Sequence, residues 1–330
     1  MFDLNKIDNI KIGIIGDLAL DIYWYADMKK SELSRETPHY PLPVVREIMS
    51  LGAGGNVVAN VAALKPGKLY VCGVCGDDWR GDILKKKLLE IGADTSGLFV
   101  EEGTFSYAYC KPMRMGISDV IYEDPRLDFT RTDKISAQTE QKILSWLDEI
   151  DTKLDILCVA DQFDNGIITE KIRDRICRME TKIIVDSRYK VGFYNPKNGI
   201  LKPNEDECRY ALNKLGLDIP DTDEELGKAL SKATGADVLL TRGEKGSMYI
   251  SNNESETVIT PALKIEGPID ICGAGDTSIS AFASCIAAGA TPAEAALVAC
   301  HASGVTIQKI ATTGTAAREE ITSLYNAFSK

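Results

Sequence analysis

Histidine is almost missing from this chain: of 330 residues, only His39 and His301 carry an imidazole. A His-dependent nucleophilic triad or a His-rich zinc site has too little material here. Long hydrophobic runs are missing too, and no apolar stretch approaches the roughly 20 residues that a bilayer-spanning helix needs. Met1–Lys11 contains Asp and Asn and shows no signal-peptide pattern. Positive charge is in deficit, 38 Lys+Arg against 49 Asp+Glu for a net charge of −11. That balance argues against nucleic acid or an anionic membrane as a partner. An anionic substrate must then find local cations, for which Arg188, Lys190, Lys202, Arg242 and Lys245 are candidates. The cysteines are nine in number, odd and scattered through apolar segments, which suits a reducing compartment, so the cytoplasm is the expected location. Cys72-Gly73-Val74-Cys75 is a lone CxxC inside a strand-like run and reads as a buried structural element. Two nucleotide signatures are also absent. There is no G-x-x-x-x-G-K-[ST] loop and no G-x-G-x-x-G after the first strand, so a nucleotide site would have to be built otherwise.

What remains is the composition of a soluble globular protein, 44% hydrophobic and 26% charged, long enough for one large α/β domain or two smaller ones. Lys11–Ile15 reads as a buried strand whose tip, Gly16-Asp17, faces a site. Pro38, Pro41 and Pro43 exclude regular helix from the segment that follows, and Phe105–Tyr109 alternates large and small residues. Both segments read as strands of one excursion from the main sheet. After residue 134 helix and strand alternate: helices are expected at Ser136–Ile150, Ile167–Met179, Glu205–Leu215 and Asp223–Thr234, with strands between. Such alternation implies a mostly parallel sheet covered on both faces, with sites at strand C-terminal ends, where Asp17, Asp161 and Asp186 fall.

The stretch with most chemical content is Asp270-Ile271-Cys272-Gly273-Ala274-Gly275-Asp276-Thr277, followed by a helical run, Ser278–Ala290. Glycines ahead of a helix let backbone N–H groups converge where the macrodipole favours an anion. Asp276 at that mouth is placed to accept a proton from an attacking hydroxyl. Backbone donors plus a carboxylate base are what phosphoryl transfer to an alcohol requires. A tight turn capped by an aspartate fits the same spacing equally well. Gly52-Ala53-Gly54-Gly55-Asn56 opens a second helix, with Asn56 either its N-cap or an amide beside a ligand. Asn204-Glu205-Asp206-Glu207 reads as a capping box or as a pair organising magnesium through bound water. Thr241-Arg242-Gly243-Glu244-Lys245-Gly246 is either a hairpin turn or a polyphosphate loop with a hydroxyl and two cations.

Taken in order, these pieces resemble the ribokinase-like (PfkB) carbohydrate kinases. D-x-x-G-A-G-D at 270–276 is similar to the family's C-terminal signature. It is preceded, in family order, by Gly16-Asp17 and Asp21, Gly54-Gly55-Asn56, Asn204-x-x-Glu207 and Thr241-Arg242-Gly243-x-x-Gly246. The resemblance covers nearly the whole chain. It implies a three-layer α/β sandwich with a small β-sheet lid, and ATP- and Mg2+-dependent phosphorylation of a sugar hydroxyl. By resemblance, Asp276 is the base and Gly273, Ala274 and Gly275 form the anion hole. Asp17, Asp21, Gly54, Gly55, Asn56 and Asp161 would meet the sugar. Asn204, Glu207, Thr241, Arg242, Gly243, Gly246 and Cys300 would meet the nucleotide, Glu207 reaching Mg2+ through water. Asp270 matches one ligand position of a monovalent-cation (K+) site. The kinase domain would comprise 1–17, 51–100 and 134–330, the lid 18–50 and 101–133. Similar kinases pair lids, so a homodimer is expected. Ribokinase-, fructokinase- or nucleoside-kinase-like activity is an alternative, and so is a non-catalytic sugar or nucleotide sensor, which the intact Asp276 and glycine loop disfavour.

Several segments are similar to the subfamily that phosphorylates heptose 7-phosphate at its anomeric hydroxyl. They are Asp21-Ile22-Tyr23-Trp24-Tyr25, Ser34-Arg35-Glu36-Thr37-Pro38, Pro43-Val44-Val45 and Arg126-Leu127-Asp128-Phe129. The chain departs from that subfamily at Asp161-Gln162-Phe163-Asp164-Asn165-Gly166 (there D-Y-x-K-G) and at Asp186-Ser187-Arg188 (there D-P-K). It also has Cys300 where an asparagine near the adenine is usual. These changes surround the expected sugar and adenine pockets and leave Asp276 untouched.

Overall fold

The computed structural model describes residues 1–253, 257–310 and 313–328. The larger of its two sheets contains β1 (Lys11–Gly16), β4 (Lys68–Gly76), β5 (Asp94–Glu101), β9 (Ile156–Asp161), β10 (Lys182–Ser187), β11 (Gly199–Leu201), β12 (Asp237–Thr241), β13 (Ser247–Ile250) and β14 (Thr257–Thr260). Their order is β14-β13-β12-β11-β10-β9-β1-β4-β5. Pairing is parallel from β5 to β12, and β13 and β14 add an antiparallel edge. The smaller sheet contains β2 (Leu18–Asp27), β3 (Val44–Ala53), β6 (Tyr107–Met115), β7 (Tyr122–Glu123) and β8 (Leu127–Phe129), in the order β3-β2-β6-β7 with β8 also on β6.

Nine helices are described: α1 (Gly54–Ala63), α2 (Trp79–Glu90), α3 (Ala137–Ile150), α4 (Glu170–Cys177), α5 (Glu205–Lys214), α6 (Asp223–Thr234), α7 (Ala274–Ala287), α8 (Pro292–Thr306) and α9 (Arg318–Phe328). Because strand side chains alternate faces, each central strand feeds two cores. On β9, Ile156, Cys158 and Ala160 join α1, α2, α7 and α8, whereas Leu157 and Val159 join α3 to α6. The expected sandwich is therefore present, and among the described residues no helix is long and apolar enough to cross a membrane.

Two local expectations are corrected, and two elements went unmarked in the sequence. Helix α7 begins at Ala274, four residues before Ser278, so Asp276 lies within its first turn. The N-cap of α1 is Ala53, at φ +49°, and Asn56 is an internal first-turn residue. Strand β5 and helix α9 carried no clear sequence signal: β5 is half exposed with mixed polarity, and α9 buries only Arg318 and Ile321.

Candidate active site

The site is assembled by helix packing. Small residues along α7 let α1 approach closely, and two buried hydrogen bonds fix the pair: Thr277 Oγ1 donates to Asn60 Oδ1 (3.0 Å) and Ser280 Oγ donates to the Val57 carbonyl (3.1 Å). This brings Asn56 of α1 to the first turn of α7, where its amide lies close enough to the Asp276 carboxylate to favour the charged form. The loop ahead of α7 is tied to α8, since Asp270 N–H donates to the Ile307 carbonyl (2.8 Å) and Ser303 Oγ to the Ala274 carbonyl (3.1 Å). Gly273, at φ +79°, makes the left-handed turn into the helix, a conformation that an L side chain rarely adopts. Ala274 N–H is used inside that turn, donating to the Ile271 carbonyl at 3.2 Å. The N–H groups that a helix start leaves free of i−4 partners therefore belong to Gly275 and Asp276 rather than to Ala274.

Burial pushes Asp276 up to about 7; the nearby Asp186 carboxylate adds to the effect, and Lys202 and the Asn56 amide oppose it. Lys202 is buried and pairs with Asp186 at the end of β10 (3.1 Å). Its Nζ lies 3.9 Å from where a Cβ on Gly275 would stand. Burial works against its charge, but the carboxylates of Asp186, Glu207 and Asp276 outweigh it and the ammonium titrates above the usual lysine range. In sequence Lys202 is only one of five candidate cations. The missed signal is its place between the end of β11 and Pro203-Asn204.

Asn204 and Glu207 form a capping box: Asn204 N–H donates to Glu207 Oε2 (2.9 Å) and Glu207 N–H to Asn204 Oδ1 (2.8 Å). Glu207 also faces the site, since burial and the Asp186 carboxylate raise its pKa while Lys202 lowers it. Capping and site orientation are thus not exclusive. Thr241 is bridged to Asn204 in parallel fashion, and its hydroxyl donates to the Pro203 carbonyl (3.2 Å). Gly243 and Gly246 both have positive φ, and a Cβ on Gly246 would stand 2.0 Å from the Thr260 carbonyl oxygen. Cys300 reaches the same segment from α8, with Sγ 3.3 Å from the Pro261 carbonyl. Arg242 is turned away from an open position. Its guanidinium donates to the Lys245 carbonyl (2.8 Å) and lies 3.6 Å from Asp223.

On the opposite bank, β2 presents Asp21, which is 3% exposed and lies 3.4 Å from Lys111 Nζ of β6. Lys111 also donates to Tyr23 Oη (2.9 Å). Burial raises Asp21 above the usual carboxylate range although Lys111 opposes it, and Asp21 is near enough to Asp276 to contribute to its shift. Lys111 had no motif to mark it. Gly54 and Gly55 are required by crowding: a Cβ on Gly54 would stand 2.8 Å from the Asp17 carbonyl oxygen, and one on Gly55 3.0 Å from Leu51 Cβ.

Two expected sugar ligands, Asp17 and Asp161, are enclosed by donors of the protein itself. Asp17 is 0% exposed, and both its oxygens accept main-chain N–H groups, Oδ2 from Gln162 (2.9 Å) and Phe163 (2.8 Å) and Oδ1 from Ile167 (2.8 Å). Burial and the neighbouring Asp161 carboxylate push its pKa up against those donors. It pins the 162–167 loop. Asp161 is equally enclosed, accepting from Ser187 Oγ (2.8 Å) and Tyr194 Oη (3.0 Å), with Lys190 at 3.5 Å. Asp270 folds back on its own turn, its Oδ1 accepting from Cys272 N–H at 3.0 Å. Among the described residues no three His, Cys, Asp or Glu side chains converge as a direct metal-ligand set.

Comparison with known proteins bears on the family and the fold. Residues 180–318 match the pfkB family carbohydrate kinase model. Over 321 residues the chain is 30% identical to the bifunctional protein HldE of Citrifermentans bemidjiense, covering 95% of this chain and 63% of that one. The chain thus spans less than two thirds of the length of that relative. In fold it is similar to Arabidopsis thaliana ribokinase complexed with ribose and ATP (TM-score 0.69, 18% identity, 96% and 98% of the two chains covered). It is also similar to Escherichia coli phosphofructokinase-2 in complex with potassium (TM-score 0.73, 15% identity, 97% and 100% covered).

Proposed function

The chain carries a pfkB-family carbohydrate kinase domain in a ribokinase-like fold, and from that premise we propose that Asp276 is the general base that takes the proton from the sugar hydroxyl. The observation that carries this reading is the carboxylate itself: it sits in the first turn of α7 beside Asn56, and its pKa of about 7 matches a base working near neutral pH. The free N–H groups of Gly275 and Asp276, with the Lys202 ammonium beside them, stabilise the charge that develops on the transferring phosphoryl group. Asp21 accepts from a sugar hydroxyl, and Lys111, 3.4 Å away, opposes the effect of burial by favouring its charged form.

ATP is the phosphoryl donor in this reading, with its phosphates toward the Thr241–Gly246 turn. Glu207 and Asp186 offer the hard oxygen donors that suit magnesium, and their mutual repulsion at this spot is what a cation would relieve. Bound there through water, the ion would neutralise phosphate charge. A K+ ion near Asp270 is an extension of the same reading. Among sugars, heptose 7-phosphate phosphorylated at the anomeric position is favoured by the Asp21–Tyr25 and Arg126–Phe129 segments and by the likeness to HldE. The smaller sheet acts as a lid, and two copies pair through it in a cytoplasmic homodimer. The test is a coupled ADP-release assay over ribose, fructose, fructose 6-phosphate and heptose 7-phosphate. Turnover with one of them supports the kinase, turnover with heptose 7-phosphate the finer assignment, and tight binding without turnover the sensor.

A further inference from the structure

One polar atom on the sugar-facing bank has no explanation in the fold. Among the described residues, Ser50 Oγ is buried from solvent and has no hydrogen-bond partner. Ser50 pairs directly with Asp21 across β2 and β3, and Asp21 pairs directly with Tyr109 across β2 and β6. Directly opposed residues share a face, so Ser50, Asp21 and Tyr109 form one polar row, with Tyr23 and Lys111 in the next. The other face of the same strands, carrying Leu20, Ile22, Leu51, Ala108 and Cys110, is packed into the main core. The row therefore faces away from that core, toward the cleft in which Asp21 is felt by Asp276. Gly52 makes room for it: a Cβ there would stand 3.1 Å from the Asp21 carboxyl carbon, so the carboxylate lies over a residue without a side chain.

A buried hydroxyl left without a partner costs about 1–3 kcal/mol, and such groups in folded proteins call for a functional reason. Opposed side chains on neighbouring strands stand about 5 Å apart at Cβ, which leaves space for one oxygen atom between a serine hydroxyl and a carboxylate. We propose that Ser50 is a hydroxyl-recognition residue of the sugar subsite, and that Ser50 and Asp21 hold one substrate hydroxyl between them. An Asp21 carboxyl oxygen accepts the hydrogen of that hydroxyl. Ser50 Oγ donates to its oxygen. Lys111 occupies the remaining side of Asp21 and also lies over the Tyr23 ring, while the Arg126 guanidinium lies over the Tyr109 ring. The pair selects a carbohydrate bearing a free hydroxyl at that position and discriminates against its deoxy analogue. The inference takes from the kinase reading only that the ligand is a carbohydrate.

The test uses the full chain and measures sugar binding by calorimetry without nucleotide, followed by steady-state kinetics, for the best sugar of the four-member panel and its deoxy analogues. Ser50→Ala should weaken binding of the parent sugar and raise its KM by about threefold to tenfold, with the kcat and the KM for ATP within twofold. For one deoxy analogue the Ser50→Ala effect should vanish. Ser50→Thr, which keeps the hydroxyl on a β-branched frame, should restore the parent value. Wild-type binding with an unchanged Ser50→Ala variant would overturn the role of Ser50 while leaving the kinase standing. No sugar binding by the wild type would overturn both.

Discussion

Lys202 and Asp186 form a buried ion pair, 3.1 Å apart, at the point where β10, β11 and the start of α7 meet. The pair couples the electrostatics of the site to the stability of the sheet ends. Removing one member leaves the other charged and uncompensated in the interior, which costs about 3–5 kcal/mol.

Lys202→Met should therefore lower the melting temperature sharply as well as the turnover. Replacing both partners, Lys202→Met with Asp186→Leu, should recover most of the stability without recovering kcat. Calorimetric melting alongside ADP release separates the two effects; recovery of turnover by the double variant would remove Lys202 from the transfer step.

Asp276→Asn keeps the shape of the side chain but cannot take a proton. The kcat should fall by a factor on the order of 10³, within the usual range for general-base removal, while sugar and ATP still bind. Turnover within tenfold of the wild type would reassign the base.

The pH profile follows from the raised Asp276. Its ordinary value is 3.8 and in the fold it is about 7, so kcat/KM should rise with pH through about 7 as the base form appears. Stability runs the other way. Between those values the folded state binds more protons than the unfolded one, so this group's contribution is fully present below pH 3.8 and is lost as pH rises through about 7. Asp276→Asn should accordingly melt higher than the wild type at pH 8; an equal or lower melting point there would contradict the shift.

Asp17 should behave as a structural lock. Asp17→Ala strands three main-chain N–H groups of the 162–167 loop and should cost at least about 3 kcal/mol in unfolding free energy. The sugar KM of the folded fraction should stay within about threefold of wild type, as expected for a residue without substrate contact. Gly166→Ala, whose Cβ would stand 2.3 Å from the Asp17 carboxylate, should reproduce the loss of stability. A selective rise in sugar KM would return Asp17 to the subsite.

Strand β3 forms an edge of the smaller sheet and exposes Val44, Val45 and Ile48. Exposed apolar edges are covered in stable proteins, so light scattering at micromolar concentration should report a dimer. Val45→Lys on that edge should shift it toward monomer.

How far the sequence reached depended on whether a signal was local. Caps, turn glycines and strand–helix alternation are written in short stretches, and so the order of elements and the capping box at Asn204–Glu207, one of two readings of that stretch, were legible in the sequence. Family resemblance likewise rests on contiguous motifs. Partner choice is not local. Asp17, Asp161 and Asp186 all read alike, as aspartates at strand C-terminal ends. Only tertiary packing decided that Asp17 and Asp161 are consumed by donors from distant segments and that Asp186 takes Lys202. Asp21 alone remains on the cleft-facing bank, opposite an unpartnered serine. A buried carboxylate takes whatever donor the fold brings to it, because leaving it unpaired in a low-dielectric interior is too costly, and that donor can lie 150 residues away in the chain.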